Sequence, residues 1–314
     1  MDVLTTVDAE RIAEHRRRDE FFWLDLESPS ARELDALRTA LDIHPMALED
    51  TREFGQRPKV DTYENHVLAV FYTVVRGPGD PTPQPSEVHV YVSGHWIVTV
   101  HQIALPQLAE LHGALRPENT HDEDYLVYRI FDGLTDAFYP AIERFEELID
   151  DAEAEVLDRP RREHLRRIYR LKQDIHGLLR LVIAQRDAFG PTVTAVMELA
   201  SLSRGTREYL SDVGDHLAQL VGELHRQNDD LSSLTSTYFN ASAERVNRTA
   251  TRLSVVATFF VVWTLITGFF GQNFGWLVRN VESERDFLIF GVGGLVIPTV
   301  VLLTLFWFKR DDWF

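Results

Sequence analysis

Two long apolar segments near the C-terminus constrain this chain more than any other feature of its sequence. Residues Leu253 to Gly271 and Phe287 to Phe308 contain no charged side chain. Each is long enough to cross a hydrocarbon core, which takes about 20 helical residues. Neither segment has the polar face that a helix of a globular protein normally shows. The sequence therefore predicts two transmembrane helices joined by a short loop.

The distribution of basic residues predicts how these helices are oriented. Five basic residues flank the pair on its outer ends: Arg245, Arg248, Arg252, Lys309 and Arg310. The loop between the helices carries Arg279 and Arg285, which three acidic residues offset. The positive-inside rule then places both termini in the cytoplasm, with the loop outside the plasma membrane. No apolar stretch follows Arg16 to Arg18, so we expect no signal peptide.

The first hundred residues show the patterns of an α/β domain. Alternation and β-branched content predict strands at Phe21–Leu26, Val67–Val75, Glu87–Val92 and Trp96–His101. A helix with Ser28 as its N-cap is predicted from Pro29 to Leu41, and a second short helix from Pro45 to Asp50.

Beyond Pro106 the sequence predicts long helices only. One runs from Asp122 to Leu157, and another from Arg161 to Phe189, where Gly190-Pro191 is expected to end it. A third continues without proline from Thr206 to Gly271, which is about 100 Å of helix. The predicted fold class is an α/β N-terminal cytoplasmic domain, followed by long α-helices and a two-helix transmembrane region.

Six successive regions follow from these patterns. They are a cytoplasmic α/β domain with long acidic helices (1–190), a cytoplasmic stalk helix region (191–252), the first transmembrane helix (253–272), an outer loop (273–286), the second transmembrane helix (287–308) and a basic cytoplasmic tail (309–314).

Charge and composition exclude several classes of function. The net charge of −17 argues against nucleic acid as a partner, because such binding relies on Lys and Arg neutralising phosphates. Cations are the better expectation, although many acidic domains merely carry solvating charge. The absence of cysteine removes thiolate sites, and no nucleophile elbow, phosphate-binding loop or zinc-protease motif is present. We therefore expect no enzyme.

Small and mildly polar residues form one stripe along the first apolar helix. They recur at intervals of three and four: Asn247, Ala250, Leu253, Ala257, Val261, Thr264, Gly268 and Gly271. Close helix packing explains such a stripe, and so does a pore wall. Since two helices cannot enclose a conduit, the pore interpretation requires a homo-oligomer.

The end of this helix carries a short motif in a specific context. Gly271-Gln272-Asn273-Phe274 follows the first apolar segment and precedes a short loop and the second one. This resembles the Gly-Met-Asn signature of the CorA family of divalent metal-ion transporters. Five other segments are similar to the family's cytoplasmic domain: His44-Pro45, Leu48–Asp50, Gln56–Val60, Asp124–Leu126 and Glu155–Pro160.

The resemblance implies a funnel-shaped homopentamer in membrane lipid, whose first transmembrane helices line a pore for Mg2+, with Co2+ or Ni2+ as surrogates. Gly271, Gln272 and Asn273 would form the selectivity filter, because neutral oxygen ligands suit a hydrated Mg2+. Thr264 and Asn247 would add polar rings.

Leu253, Ala257 and Val261 would form an apolar gate. The gate would be looser at Ala250, where the family has a bulky residue. Gln272 departs from the signature and leaves two alternatives open. One is a Zn2+ transporter of the family's zinc branch, and the other is a membrane-anchored sensor or scaffold that conducts nothing.

The resemblance also implies regulation by cytoplasmic cation, chiefly Mg2+. The family binds cation between subunits at a stalk aspartate, which Asp212 matches within Ser211–His216, a segment that also contains Asp215. Glu87 or Asp80 is the candidate partner from the α/β domain. Bound cation would neutralise repulsion between acidic faces and favour the closed state.

Overall fold

The computed structural model of the protein describes residues 2–77, 82–115, 123–199, 205–272, 275–280 and 283–308. Two compact units are present. The first comprises Met1–Glu155 and Arg161–Thr235, and the second comprises Val156–Pro160 and Ser236–Phe314. An α/β N-terminal region followed by long helices and two apolar helices is confirmed.

A six-stranded mixed sheet forms the centre of the first unit. Its strands are β1 (Asp2–Leu4), β2 (Phe22–Glu27), β3 (Lys59–Thr62), β4 (Val67–Val75), β5 (Gln84–Val92) and β6 (Trp96–His101). Their order is β1-β2-β6-β5-β4-β3. The pairs β1/β2 and β2/β6 are parallel, whereas β6/β5, β5/β4 and β4/β3 are antiparallel. All four predicted strands are present, and the prediction missed the short strands β1 and β3.

The described residues from Asp2 to Met197 form seven helices. They are α1 (Ala9–Arg18), α2 (Ala31–Leu41), α3 (Pro45–Arg52), α4 (Pro106–Ala114), α5 (Glu123–Asp136), α6 (Phe138–Asp158) and α7 (Arg162–Met197). Leu34, Leu37 and Leu41 of α2 are buried at helical spacing against the sheet. The apolar faces of α1, α2 and α3 thus form one cluster of buried residues with the strands.

The predicted N-cap of α2 was wrong by two residues. Ser30, not Ser28, caps the helix: its hydroxyl accepts from the Glu33 amide, and the Glu33 carboxylate accepts from the Ser30 amide at 2.8 Å. This reciprocal pair is a capping box, which satisfies two otherwise free N–H groups. Ser28 instead has φ of 47° in the preceding turn.

Two predicted helix boundaries were also wrong, and both lie close to a proline. The helix expected from Asp122 to Leu157 divides between Asp136 and Phe138, because Pro140 in the first turn of α6 has no N–H for the Asp136 carbonyl. By contrast, α7 continues through Pro191 to Met197. Phe189 lies buried there against Phe71 and Phe131, and this packing outweighs the lost hydrogen bond.

The helix predicted from Thr206 to Gly271 is confirmed as α8 (Gly205–Phe270), which contributes to both units. The second unit continues with α9 (Gly275–Asn280), α10 (Glu284–Asp286), a π-helical turn (Phe287–Val292) and α11 (Gly293–Phe308). The C-terminal part of α8 and the segment Glu284–Phe308 are long and apolar enough to cross a membrane.

Candidate functional site

Three side chains that bind metals well lie together in the first unit. The Asp132 Oδ1 atom is 3.6 Å from His216 Nδ1, and the Asp212 Oδ2 atom is 3.8 Å from His216 Nε2. One ligand atom from each of the three residues lies within 4.8 Å of the other two. Among the described residues this is the one such group, and we call it the Asp132 cluster.

Helical spacing explains how the sequence builds this cluster. Asp132 lies on α5 between buried Phe131 and Leu134, whereas Asp212 and His216 are one turn apart on α8. The buried Val213 and Leu217 hold that side of α8 against the rest of the first unit. Residues four apart share a helix face, so α8 presents a carboxylate and an imidazole to α5.

Burial makes Asp132 the unusual member of the cluster. Its side chain is only 5% exposed, and its Oδ2 atom pairs with Arg129 at 3.1 Å. Its Oδ1 atom has no hydrogen-bond partner among the described residues, and neither has Nδ1 of His216. Burial, followed by the nearby charge of Asp136, raises the pKa of Asp132. A buried acceptor without a donor is costly, and a cation would relieve that cost.

The donor atoms indicate which cations this cluster suits. Two carboxylates and an imidazole can hold a divalent cation, with water completing the coordination. Mg2+ prefers oxygen ligands and keeps several waters, whereas imidazole nitrogen favours Co2+, Ni2+ or Zn2+. Tyr128 lies next to the cluster, and its hydroxyl group donates a hydrogen bond to Asp212 Oδ2 at 3.4 Å. Its pKa is raised to about 12, chiefly by burial and then by the charges of Asp132 and Asp212.

The structure brings only one of the three predicted regulatory residues into this cluster. Asp212 lies in it, whereas Asp215 is exposed on α8 outside it. Glu87 lies on β5, is 8% exposed and accepts hydrogen bonds from Gly55 N at 2.5 Å and Tyr72 Oη at 3.0 Å. A further bond joins it to His89 Nε2 at 2.7 Å. Within the described residues, the Glu87 carboxylate is thus bound by its own chain and makes no contact with Asp212. Asp80, the alternative partner, lies outside the residues that the structure describes.

Within the second unit, no other described residues cover the predicted stripe on the first apolar helix, and we call it the open stripe. Its residues are all exposed: Asn247, Ala250, Leu253, Ala257, Val261, Thr264 and Gly268. The partly buried residues of this helix lie on the opposite side: Val255, Phe259, Val262 and Ile266. On that side Phe259 contacts Phe306 of α11, with ring centroids 5.8 Å apart. The chain's own second apolar helix therefore does not cover the stripe.

The open stripe ends at the predicted filter. Val261, Thr264, Gly268 and Gln272 line one groove of about 630 Å3 along the helix, bordered by aromatic residues. Gly271 follows the last helical residue, and a Cβ atom there would lie 3.1 Å from the Thr267 carbonyl oxygen. A side chain at position 271 would therefore make a tight contact with that carbonyl group. Asn273, the third predicted filter residue, lies outside the described residues.

Comparison with known proteins decides the family. The profile of a family described as CorA-like Mg2+ transporter protein matches residues 18–310. The chain belongs to the CorA family. This agrees with the two apolar helices and with the Gly271-Gln272-Asn273 motif between them.

Relatives and solved structures extend this assignment. The cobalt/magnesium transport protein CorA of Thermotoga maritima is 26% identical over 278 residues, covering 86% of this chain and 77% of that protein. The zinc transport protein ZntB of Yersinia enterocolitica is 25% identical over 230 residues, covering 72% and 67%. The complete structure of the CorA magnesium transporter of Methanocaldococcus jannaschii has the same fold, with a TM-score of 0.78 at 20% identity over 93% of this chain and 91% of that one.

The sequence prediction missed Asp132 and His216. Asp212 and His216 have the i, i+4 spacing that places two ligands on one helix face. That spacing was the available signal for His216. Asp132 had no local signal, because its role depends on the packing of α5 against α8.

Proposed function

We propose that this chain is the subunit of a homo-oligomeric divalent-cation channel of the plasma membrane, with both termini in the cytoplasm. The observation that carries the proposal is the open stripe, which ends at Gly271 and Gln272 and which the chain's own second apolar helix leaves uncovered. Several copies arranged around an axis would turn these stripes into a pore wall. The pentamer expected from the family resemblance is our proposed stoichiometry.

Mg2+ is the proposed cargo, with Co2+ or Ni2+ as surrogates. Neutral oxygen donors at Gly271 and Asn273 would bind the hydrated ion through its water shell. Thr264 supports this role, because its hydroxyl proton is donated to the Phe260 carbonyl at 2.7 Å, which leaves the oxygen as an acceptor. Magnesium and cobalt are named for the Thermotoga relative.

Zn2+ is the second candidate, and two observations favour it. The imidazole of His216 belongs to the Asp132 cluster, and nitrogen ligands suit Zn2+ better than Mg2+. Gln272 replaces the methionine of the signature, and a zinc transport protein is among the relatives.

We further propose that the Asp132 cluster is the regulatory cation site, with Asp212, Asp132 and His216 as ligands. Glu87 and Asp215 would act through a neighbouring subunit. Cation binding there would shift the channel towards closure only to the extent that the closed state binds it more tightly.

Cation flux into proteoliposomes tests the transport proposal. Mg2+ and Zn2+ uptake would be compared for the wild type, Asn273→Ala and Val256→Ala, with and without a pH gradient. We expect Mg2+ flux that Asn273→Ala abolishes and Val256→Ala, off the stripe, preserves. Gradient-dependent Zn2+ flux would move the protein to the zinc branch. No flux of either ion would leave the scaffold alternative.

A further inference from the structure

A cavity of about 740 Å3 lies in the first unit, and none of its lining residues belongs to the Asp132 cluster or to the membrane helices. It is bordered by the end of β4, by α4, and by the helices α5 and α6. We propose that this cavity binds a phosphate monoester with an apolar body.

Three arginines give the cavity its preference for an anion. Arg76, Arg129 and Arg144 line it, whereas its acidic lining residues are Glu110 and Asp136. The lining thus carries one more positive than negative charge in a chain with a net charge of −17, although Arg129 and Arg144 each also pair with a carboxylate outside the lining. The planar guanidinium group of arginine donates paired hydrogen bonds that match the oxygens of a phosphate. A phosphate dianion is a better ligand for several guanidinium groups than a single carboxylate is.

Arg144 retains hydrogen-bond donors that its own chain does not use. Its Nη1 atom binds Glu147 Oε2 at 2.6 Å. Its Nε atom is buried and has no partner among the described residues. Arg76 also lines the cavity. The unpartnered Nε atom of Arg144 can bind a ligand that enters the cavity.

The remaining walls suit an apolar body. Val74, Pro83, Leu111 and Pro140 line the cavity together with several alanines. Ligand sites of this size typically combine apolar walls with a few convergent polar groups. Gly133 of α5 also lines the cavity, and a Cβ atom there would meet nothing within 4 Å. A larger side chain at position 133 would therefore start in open space and extend into the ligand space.

The cavity also borders the Asp132 cluster through α5. Arg129 lines the cavity and pairs with Asp132 Oδ2 at 3.1 Å. A phosphate that draws Arg129 away leaves the Asp132 carboxylate without its paired cation. Bound phosphate in the cavity and bound cation at the Asp132 cluster should therefore strengthen each other's binding. This coupling rests on the proposed regulatory site, whereas anion binding itself does not.

Titration calorimetry of the full-length protein in detergent with phenyl phosphate, in EDTA, tests the site. We expect saturable binding that Arg144→Gln weakens at least about tenfold and that Gly133→Leu abolishes. Arg180→Gln and Gly177→Leu, on the exposed side of α7, are matched controls that should bind as the wild type does. Inorganic phosphate should bind more weakly than phenyl phosphate, since it lacks the apolar body.

Three results would overturn the proposal: no saturable binding of phenyl phosphate, full binding by Gly133→Leu, or equal weakening by Arg180→Gln and Arg144→Gln. Gly133→Leu keeps the test independent of charge. For the coupling, phenyl phosphate should raise Co2+ affinity about fivefold or more, and Arg129→Gln should remove that increase. Asp212→Asn should eliminate Co2+ binding while leaving phenyl phosphate binding intact, so that failure of the regulatory site is distinguished from failure of the anion site.

Discussion

The side-chain amide of Gln185 on α7 binds both main-chain polar atoms of Tyr72 on β4. Its Oε1 atom accepts from Tyr72 N at 2.7 Å, and its Nε2 atom donates to Tyr72 O at 3.1 Å. Strand β3 pairs with β4 only as far as Val70. The amide therefore takes the place of the next peptide group of a neighbouring strand and satisfies a buried edge.

Gln185→Leu should destabilise the first unit by roughly 2–4 kcal/mol, because each buried polar group left without a partner costs about 1–3 kcal/mol. Denaturant unfolding of the purified protein, followed by circular dichroism, measures this. Gln219→Leu on the exposed side of α8 is the control and should change stability by less than about 0.5 kcal/mol. Equal effects of the two substitutions would refute the bridging role of Gln185.

The pair of Asp25 and His101 should make stability depend on pH. His101 Nε2 is 3.1 Å from Asp25 Oδ1, and its Nδ1 is 2.7 Å from the Ile103 carbonyl oxygen, so the protonated ring satisfies both acceptors. Burial opposes the charge, but the hydrogen bond and charge of Asp25 raise the pKa of His101 above 6.5. The pKa of Asp25 is lowered: burial raises it, and hydrogen bonds from His101, His112 and Thr99 outweigh that effect.

A raised folded-state pKa stabilises the protein below the unfolded value, and this contribution is lost as pH rises through the folded value. Because the pKa of Asp25 is lowered, its contribution to stability is lost only at acidic pH, outside this range. As the pH rises from the usual histidine pKa of about 6.5 through the raised folded-state pKa of His101, we therefore expect stability to fall. His101→Gln should flatten that slope, as thermal melts across this range would show. His95→Gln, at an exposed pair with Asp19, serves as the control. An unchanged slope in His101→Gln would rule the mechanism out.

Cation binding at the Asp132 cluster should stabilise the folded protein. At a concentration about 100 times the dissociation constant, Co2+ should add about 2.7 kcal/mol. Thermal unfolding with and without Co2+ measures the gain. Asp212→Asn should lose it, whereas Asp229→Asn, exposed on the same helix, should keep it. Asp215→Asn tests the remaining predicted ligand. Loss of the gain in Asp215→Asn but not in Asp212→Asn would place the site elsewhere.

The two apolar helices share a side-chain hydrogen bond. Trp263 Nε1 donates to Thr299 Oγ1 at 2.8 Å, which gives the indole a polar partner. A double-mutant cycle with Trp263→Phe and Thr299→Val should yield a coupling energy of roughly 0.6–1.7 kcal/mol. Detergent titration with SDS provides the unfolding measurement. Strict additivity of the two substitutions would mean that the bond contributes nothing.

The sequence predicted what local periodicity determines. Alternating β-branched residues indicated β4 and β6, and an uncharged run indicated each apolar helix. The Asp132 cluster could be predicted only in part. Asp212 came from a family resemblance, whereas its contact with Asp132 arises from the packing of two helices far apart in sequence. The continuation of α7 through Pro191 was missed for the same reason, because burial of Phe189 overrides a local helix-breaking signal.

The π-helical turn Phe287–Val292 bears on how this helix tolerates insertion and deletion. Such a turn closes its hydrogen bonds at i to i+5, so it holds one residue more than the α-helical turn that could replace it. Removing Ile289 alone would convert the turn to regular α-helix and leave Thr299 facing Trp263. This helix can therefore accept the deletion of one residue within 287–292 without rotation of the residues that follow. Related sequences that differ in length within this turn should differ by one residue.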